Sequence, residues 1–353
     1  MICQTKLCQV QVLAKTMSHD ATRIFNFAKT SPLFRALNIV PSAEDWQRHG
    51  TSLAQQLSPN STELSDVLSD PVIASRIYHL YLPIYFWCRE IVLKARKKEP
   101  RRAVGIGISA PQGCGKTTLV TFLTGCFQTD GLVCSAVSFD DFYLTGLEQD
   151  TLAAKHASNP LLQVRGNAGT HDIPLGTNTL HSLLQREQHV AIPRYDKSAR
   201  NGRGDRCNQT DWSVQTECSD VVLLEGWMAG FAPVEKKDNE NDNNNINEIN
   251  ANMGQYSEWH DQMNSWVVVS IEDCNQVFQW RLEAEQAMKA SGKDGMTDEQ
   301  VHDFVSCYMP AYKSFLPGLY AAGNGNGVGN KPTLMVNIDE NRQVKEGRSP
   351  SNM

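Results

Sequence analysis

VGIGISAPQGCGKTTLV, residues 104–120, decides the fold. The apolar run Val104–Ser109 leads into Ala-Pro-Gln-Gly-Cys-Gly-Lys-Thr-Thr, and a helix-compatible stretch follows at once. Glycines let the backbone curl so that successive N–H groups point at one anion, and the next helix adds its positive N-terminal end. Lys116 is placed to meet the β- and γ-phosphates of a nucleotide, and the Thr117 hydroxyl to hold Mg²⁺. Gly113, Cys114, Gly115, Lys116, Thr117 and Thr118 are therefore the predicted phosphate-binding set. The pattern ordinarily opens with Gly; here Ala110 stands there, and a small residue fits if its φ is negative.

Beyond this loop, short apolar runs alternate with helix-like segments. Ala103–Ser109, Val133–Phe139, His189–Ile192, Val221–Leu224 and Trp266–Ile271 read as buried strands, and Thr333–Ile338 as the last one. Continuous apolar runs suit a parallel sheet covered on both faces. The expected fold is α/β, a doubly wound, mostly parallel sheet of the P-loop NTPase or kinase type.

Residues 101–345 form this predicted domain, and residues 41–100 an N-terminal helical extension packed on it. In the extension, Leu64, Val67 and Leu68 share a face, and Arg76–Lys97 keeps i, i+3, i+4 apolar spacing. Asp70-Pro71 supplies an N-cap and a first-turn proline, while Pro83 predicts a kink. Residues 1–40 carry five Lys or Arg against Asp20 alone, which suits a targeting or flexible segment. Phe25–Phe34 equally suits the start of a packed helix. Residues 235–254, EKKDNENDNNNINEINANMG, have almost nothing to bury and read as a disordered surface insertion.

The chain has 353 residues, 41% of them hydrophobic, enough for a sizeable core. A formal net charge of −6 argues against a general nucleic-acid binder. No apolar run approaches the roughly 20 residues of a membrane span, so a soluble protein without a membrane partner is expected. Ten cysteines lie without CxxC pairing, which suits reduced thiols in an intracellular compartment. A monomer acting on a small molecule is the expected form.

Val133–Phe139 ends in Asp140-Asp141-Phe142-Tyr143. Carboxyl ends of parallel strands line the ligand crevice. A carboxylate there accepts a substrate hydroxyl's proton or holds Mg²⁺; the plain alternative is a helix cap. Glu225, at the end of the run Asp220–Leu224, is a second acid suited to Mg²⁺ or to catalysis. Between them lie Arg165-Gly-Asn-Ala-Gly-Thr-His171-Asp172, Pro193-Arg194-Tyr195-Asp196-Lys197-Ser198 and Arg203-Gly-Asp-Arg206. Such density of arginine forks in an acidic chain points to an anionic ligand. Arg281, on the amphipathic stretch Val277–Met288, suits either charge stabilisation at a transferred phosphoryl group or an i,i+4 pair with Glu285.

The strings SAPQGCGKTTLV, DDFYL, RGNAGTHD, PRYDKS with NGRGDR, LLEGWMAGF, WRLEAEQAM and GMTDEQVHDFVSCYMPAYKSFLP together span about residues 70 to 340 with their surroundings. In these the chain resembles the plant-type D-glycerate 3-kinase family, within the phosphoribulokinase/uridine kinase-like P-loop kinases. The resemblance implies ATP- and Mg²⁺-dependent phosphorylation of D-glycerate to 3-phosphoglycerate, a photorespiration step in photosynthetic organisms. It also makes a chloroplast or mitochondrion a candidate compartment beside the cytoplasm. By position it implies Gly113–Thr118 at the ATP phosphates and Mg²⁺, Asp140 as general base, and His171, Asp172, Arg194 and Tyr195 at the acceptor. Read together with the residue chemistry above, Lys116, Asp140, Glu225 and Arg281 are the expected catalytic set and Thr117, Asp140 and Glu225 the expected metal set. Asp141, Tyr143, Arg165, His171, Asp172, Arg194, Tyr195 and Arg206 fall to the acceptor, one of the three arginines taking its carboxylate. Two other readings stay open: a kinase for a nucleoside or pantothenate-like alcohol, and a nucleotide-dependent regulatory protein.

Overall fold

The apolar run ahead of the glycine loop is β1, Val104–Ser109, near the middle of a six-stranded sheet in this computed structural model, which describes residues 19–37, 41–57, 70–235, 244–290, 292 and 296–351. Its companions are β2 (Cys134–Ser138), β3 (Val221–Gly226), β4 (Ser265–Ser270), β5 (Thr333–Ile338) and β6 (Val344–Ser351). They lie in the order β6-β5-β4-β1-β3-β2. All neighbours run parallel except β6, which is antiparallel to β5. Every residue of β1 and β4 is buried. Helices cover both faces of the sheet, as continuous apolar strands require. The expected doubly wound, mostly parallel sheet stands.

Two strand expectations are corrected. Val190–Ile192 lies outside the main sheet, paired antiparallel with Ser213–Gln215. Its Ala191 is exposed between two buried residues, and three residues are too few to distinguish alternation from a continuous run. The sheet also continues past Thr333–Ile338 into β6, whose sequence VKEGRSPS is polar and contains Pro. Edge strands tolerate such residues because one side needs no partner.

The expected targeting or flexible segment is corrected from His19 onward. His19–Ala28 is a helix burying Ile24, Phe25 and Ala28, and Pro32–Ala36 is a second helix with Leu33 fully buried. A Cβ on Gly347 of β6 would lie 2.7 Å from Leu33 Cα, so backbone packs almost on backbone here. Residues 1–18 and 38–40 lie outside the described residues, as does the helical face expected at Leu64, Val67 and Leu68.

Pro83 stands where the extension changes its helical type, and the expected kink is replaced by a local widening of one turn. A π-helical turn, Arg76–Tyr81, precedes the helix Leu82–Lys98 that holds Pro83 in its first turn. Proline has no N–H for the carbonyl four residues back, and a widened turn absorbs the misfit. That carbonyl, of His79, instead accepts the Ser31 hydroxyl at 2.9 Å.

The asparagine-rich tract is also corrected in part. Residues 236–243 lie outside the described residues, but Asn244–Met253 is a helix. Ile249 and Met253 are buried, and Glu248 accepts from Asn159 at 2.7 Å. Asn250 exchanges hydrogen bonds of 2.8 and 3.0 Å with the backbone of Val234. Ile246, Ile249 and Met253 keep helical spacing, a short apolar stripe that the tract's composition hides.

Candidate active site

Strand register brings three chain segments to one edge. Ile108 of β1 and Ser138 of β2 both stand opposite Glu225 of β3. The loop after β1, the acids after β2 and Glu225 therefore share the carboxyl end of the sheet, where ligands bind in such folds.

The loop is held in shape by the protein itself. Gly113 and Gly115 have φ of +81° and +96°, which a side chain would strain. A Cβ on Gly113 would come within 2.6 Å of Trp280 Cβ, so the loop rests on the helix Gln276–Ala290. The Gln112 N–H donates to Tyr312 Oη at 3.0 Å, and Arg342 Nε donates to the Gly113 carbonyl at 2.9 Å. Ala110 is buried and lies outside the positive-φ region, so it replaces glycine without strain. The helix Lys116–Thr129 begins at the loop's end, with Thr117 and Thr118 exposed in its first turn. Burial pushes the Cys114 thiol up to about 11, so it acts as a small filler rather than a thiolate.

Two acid–lysine pairs occupy the site. Lys116 Nζ lies 3.2 Å from Glu225 Oε2. Asp140 Oδ2 lies 2.5 Å from Lys197 Nζ, and Asp140 Oδ1 accepts the Tyr143 hydroxyl at 2.7 Å. Burial would raise the Asp140 pKa, but Lys197, Lys116 and these hydrogen bonds outweigh it and hold the group at about 2. Asp140 is a carboxylate at neutral pH.

Its neighbour has another duty. Asp141 accepts from the Ser138 N–H at 2.9 Å in a capping box and from Arg194 at 3.2 Å. Asp172 caps the helix Ile173–Leu184 through Leu175 N–H at 3.0 Å and lies 3.2 Å from Arg206. Arg206 also donates to the Tyr143 carbonyl at 2.7 Å. Arg165 donates to the carbonyls of Gly202 and Arg203 and lies against the Tyr195 ring, 5.6 Å from its centroid. Asp141, Asp172, Arg165 and Arg206, expected to contact the acceptor, thus frame the site by holding one another and the backbone. Arg281 makes the i,i+4 pair with Glu285, beside the glycine loop.

RGNAGTHD is mostly architecture. Asn167 donates to the carbonyls of Leu161 and Cys307 at 3.0 and 3.1 Å, and Thr170 Oγ1 accepts the Gly166 N–H. Gly166 has φ of +131°, and a Cβ there would lie 2.3 Å from the Tyr308 ring. His171 is what this turn presents. Its ring is buried, with Nδ1 2.6 Å from Tyr256 Oη and Nε2 without a partner among the described residues. Burial depresses its pKa to about 3 despite nearby Asp140, so the imidazole is neutral. Tyr143 lies beside it, ring centroids 4.7 Å apart, and Tyr195 meets the Tyr143 ring edge to face at 5.2 Å.

No protein-family model matches the chain. The chloroplastic D-glycerate 3-kinase of Arabidopsis thaliana is 38% identical over 354 residues, covering 96% of this chain and 76% of that protein. The chain belongs to the D-glycerate 3-kinase family. A Schizosaccharomyces pombe protein named uncharacterized kinase mug58 is 36% identical over 266 residues, covering 71% of this chain and 94% of that protein. The solved structure of D-glycerate 3-kinase from Cryptococcus neoformans superposes with a TM-score of 0.66 at 31% identity, covering 75% of this chain and 99% of that one.

Several residues of this family member escaped sequence reasoning. Lys197 stands within PRYDKS, but nothing in the sequence paired it with Asp140. Tyr308 donates to the Arg165 carbonyl at 3.0 Å, and Tyr312 braces the glycine loop. Their i,i+4 spacing signals a helix face, not its destination. Arg342 follows the last predicted strand and reaches the loop only because β5 lies two strands from β1. A cavity of about 380 Å³ lined by Phe231, Met253, His260 and Trp266 holds none of the predicted site residues. Among the described residues no helix is long and apolar enough to cross a membrane.

Proposed function

We propose that this chain is an ATP-dependent kinase that phosphorylates the 3-hydroxyl of D-glycerate. The observation that carries the reading is the alignment at Glu225, which stands at the end of β3 between β1, followed by the Lys116 loop, and β2, followed by Asp140. The loop N–H groups and Lys116 hold the β- and γ-phosphates of ATP. Thr117, Asp140 and Glu225 offer one hydroxyl and two carboxylates, hard oxygen donors suited to Mg²⁺. When bound, Mg²⁺ neutralises phosphate charge.

Asp140 takes the proton of the 3-hydroxyl as that oxygen bonds the γ-phosphorus and the bond to the ADP oxygen breaks. Phosphoryl transfer needs mainly alignment and charge neutralisation, so a braced loop and a fixed carboxylate are the parts the protein must supply. The cationic surround of the site favours an anionic acceptor over a nucleoside. An ADP-release assay with D-glycerate, L-glycerate, uridine and pantothenate tests the reading, with phosphorus NMR assigning the phosphorylated hydroxyl. Turnover with D-glycerate alone is expected. Preference for uridine or pantothenate would overturn it. Asp140→Asn is expected to lower kcat by about 10²- to 10⁴-fold.

A further inference from the structure

The three arginines expected to meet an acceptor carboxylate are engaged elsewhere. Arg165 holds the loop carbonyls of Gly202 and Arg203, Arg194 holds Asp141, and Arg206 holds Asp172 and the Tyr143 carbonyl. Lys197 differs from all of them. Its ammonium sits on the oxygen of the predicted proton acceptor, and its side chain is 60% exposed. The lysine end of the pair is open to solvent, and a lysine is a compact charge on a flexible stem that can turn to another partner. The Lys197–Asp140 contact is thus easily exchanged for another carboxylate.

A second group, His171, lies near the same acid and feels its charge. The Tyr256 hydroxyl accepts the Gly169 N–H at 3.1 Å, and among the described residues His171 Nδ1 is the one acceptor in reach of its hydrogen, which assigns that hydrogen to Nδ1. This tautomer leaves the proton on Nε2, a buried donor without a partner among the described residues. A buried donor left unpaired is unfavourable, and an oxygen-rich ligand supplies the missing acceptor. Tyr143 joins the two groups, pairing its backbone with His171 and its hydroxyl with Asp140.

We propose that Lys197 is the carboxylate anchor of the acceptor: the incoming carboxylate takes Lys197 from Asp140, so substrate binding itself uncovers the proton acceptor. The inference rests on the reading of a small hydroxy acid as the acceptor. It makes Lys197 a specificity-determining residue and gives the site a reason to reject neutral alcohols, which cannot displace Asp140.

Lys197→Met is expected to raise KM for D-glycerate by about 10- to 100-fold, the range of a hydrogen bond to a charged group. KM for ATP is expected to stay within a few-fold, and Lys197→Arg to restore most of the loss. The preference for D-glycerate over its neutral amide, glyceramide, is expected to collapse in the same variant. Calorimetry supplies a second measure. With a non-hydrolysable ATP analogue, Asp140→Asn is expected to bind D-glycerate several-fold more tightly, because the competing carboxylate is gone. Lys197→Met in that background is expected to abolish the gain. Unchanged KM in Lys197→Met, or unchanged or weaker binding in Asp140→Asn, overturns the exchange alone. Wild-type protein that does not phosphorylate D-glycerate sinks both this proposal and the reading beneath it.

Discussion

Lys116 Nζ lies 3.2 Å from Glu225 Oε2, joining the glycine loop after β1 to the end of β3. Burial disfavours the lysine's charge, but Glu225 and Asp140 outweigh it and hold the ammonium above its ordinary pKa. The loop lysine is fully charged before any phosphate arrives. Glu225→Gln removes the partner that orients it. A fall in kcat of about 10²-fold or more is expected from steady-state kinetics, the scale of losing one preorganised electrostatic group. Near-normal kcat would exclude Glu225 from the machinery.

Gly113 combines left-handed backbone with contact against Trp280. Gly113→Ala adds a Cβ 2.6 Å from Trp280 Cβ at a φ of +81°. Strain of about 1–3 kcal/mol falls on the loop, so ATP affinity is expected to drop about 10- to 100-fold while circular dichroism stays native. Equilibrium binding of a fluorescent ATP analogue measures it.

Asp130 joins the N-terminal extension to the loop helix. It accepts from Arg48 at 2.7 Å, lies 3.1 Å from His49 and 3.4 Å from Arg89, and receives the Tyr85 hydroxyl. Asp130→Ala leaves largely buried Tyr and His groups without their acceptor. A loss of about 3 kcal/mol in chemical denaturation is expected, with KM values unchanged below the transition. Unaltered stability would mean that apolar packing alone holds the extension.

His171 gives stability a pH dependence of known sign. Its folded pKa, about 3, lies below the ordinary 6.5, so between these values the unfolded chain binds a proton that the folded chain lacks. Stability therefore falls as pH drops through that window, by about 1.4 kcal/mol per pH unit well below the ordinary value. In His171→Gln this share of the slope is expected to vanish, so the variant's deficit at about pH 7 shrinks by about pH 5. Parallel unfolding free energies would show that His171 is not buried neutral.

Sequence reached the sheet and the phosphate loop because both are local. β1 and β4 are continuous apolar runs, and the glycines, Lys116 and Thr117 lie consecutively. It failed where local signals were short or masked by composition. Val190–Ile192 was too brief to declare its period, β6 too polar to read as a strand, and Ile249 and Met253 were lost among asparagines. Charge identity was legible; charge pairing was not. Asp140 and Asp141 are adjacent and alike in sequence, yet one faces two lysines and the other caps a turn.

By itself, then, the chain determined an α/β phosphate-binding domain and the residue types around its ligand. Tertiary structure alone decided which acid meets Lys116 and which basic groups are tied to the frame. The Lys197–Asp140 and Lys116–Glu225 pairs join positions 57 and 109 residues apart, and only strand register and loop closure set their distances.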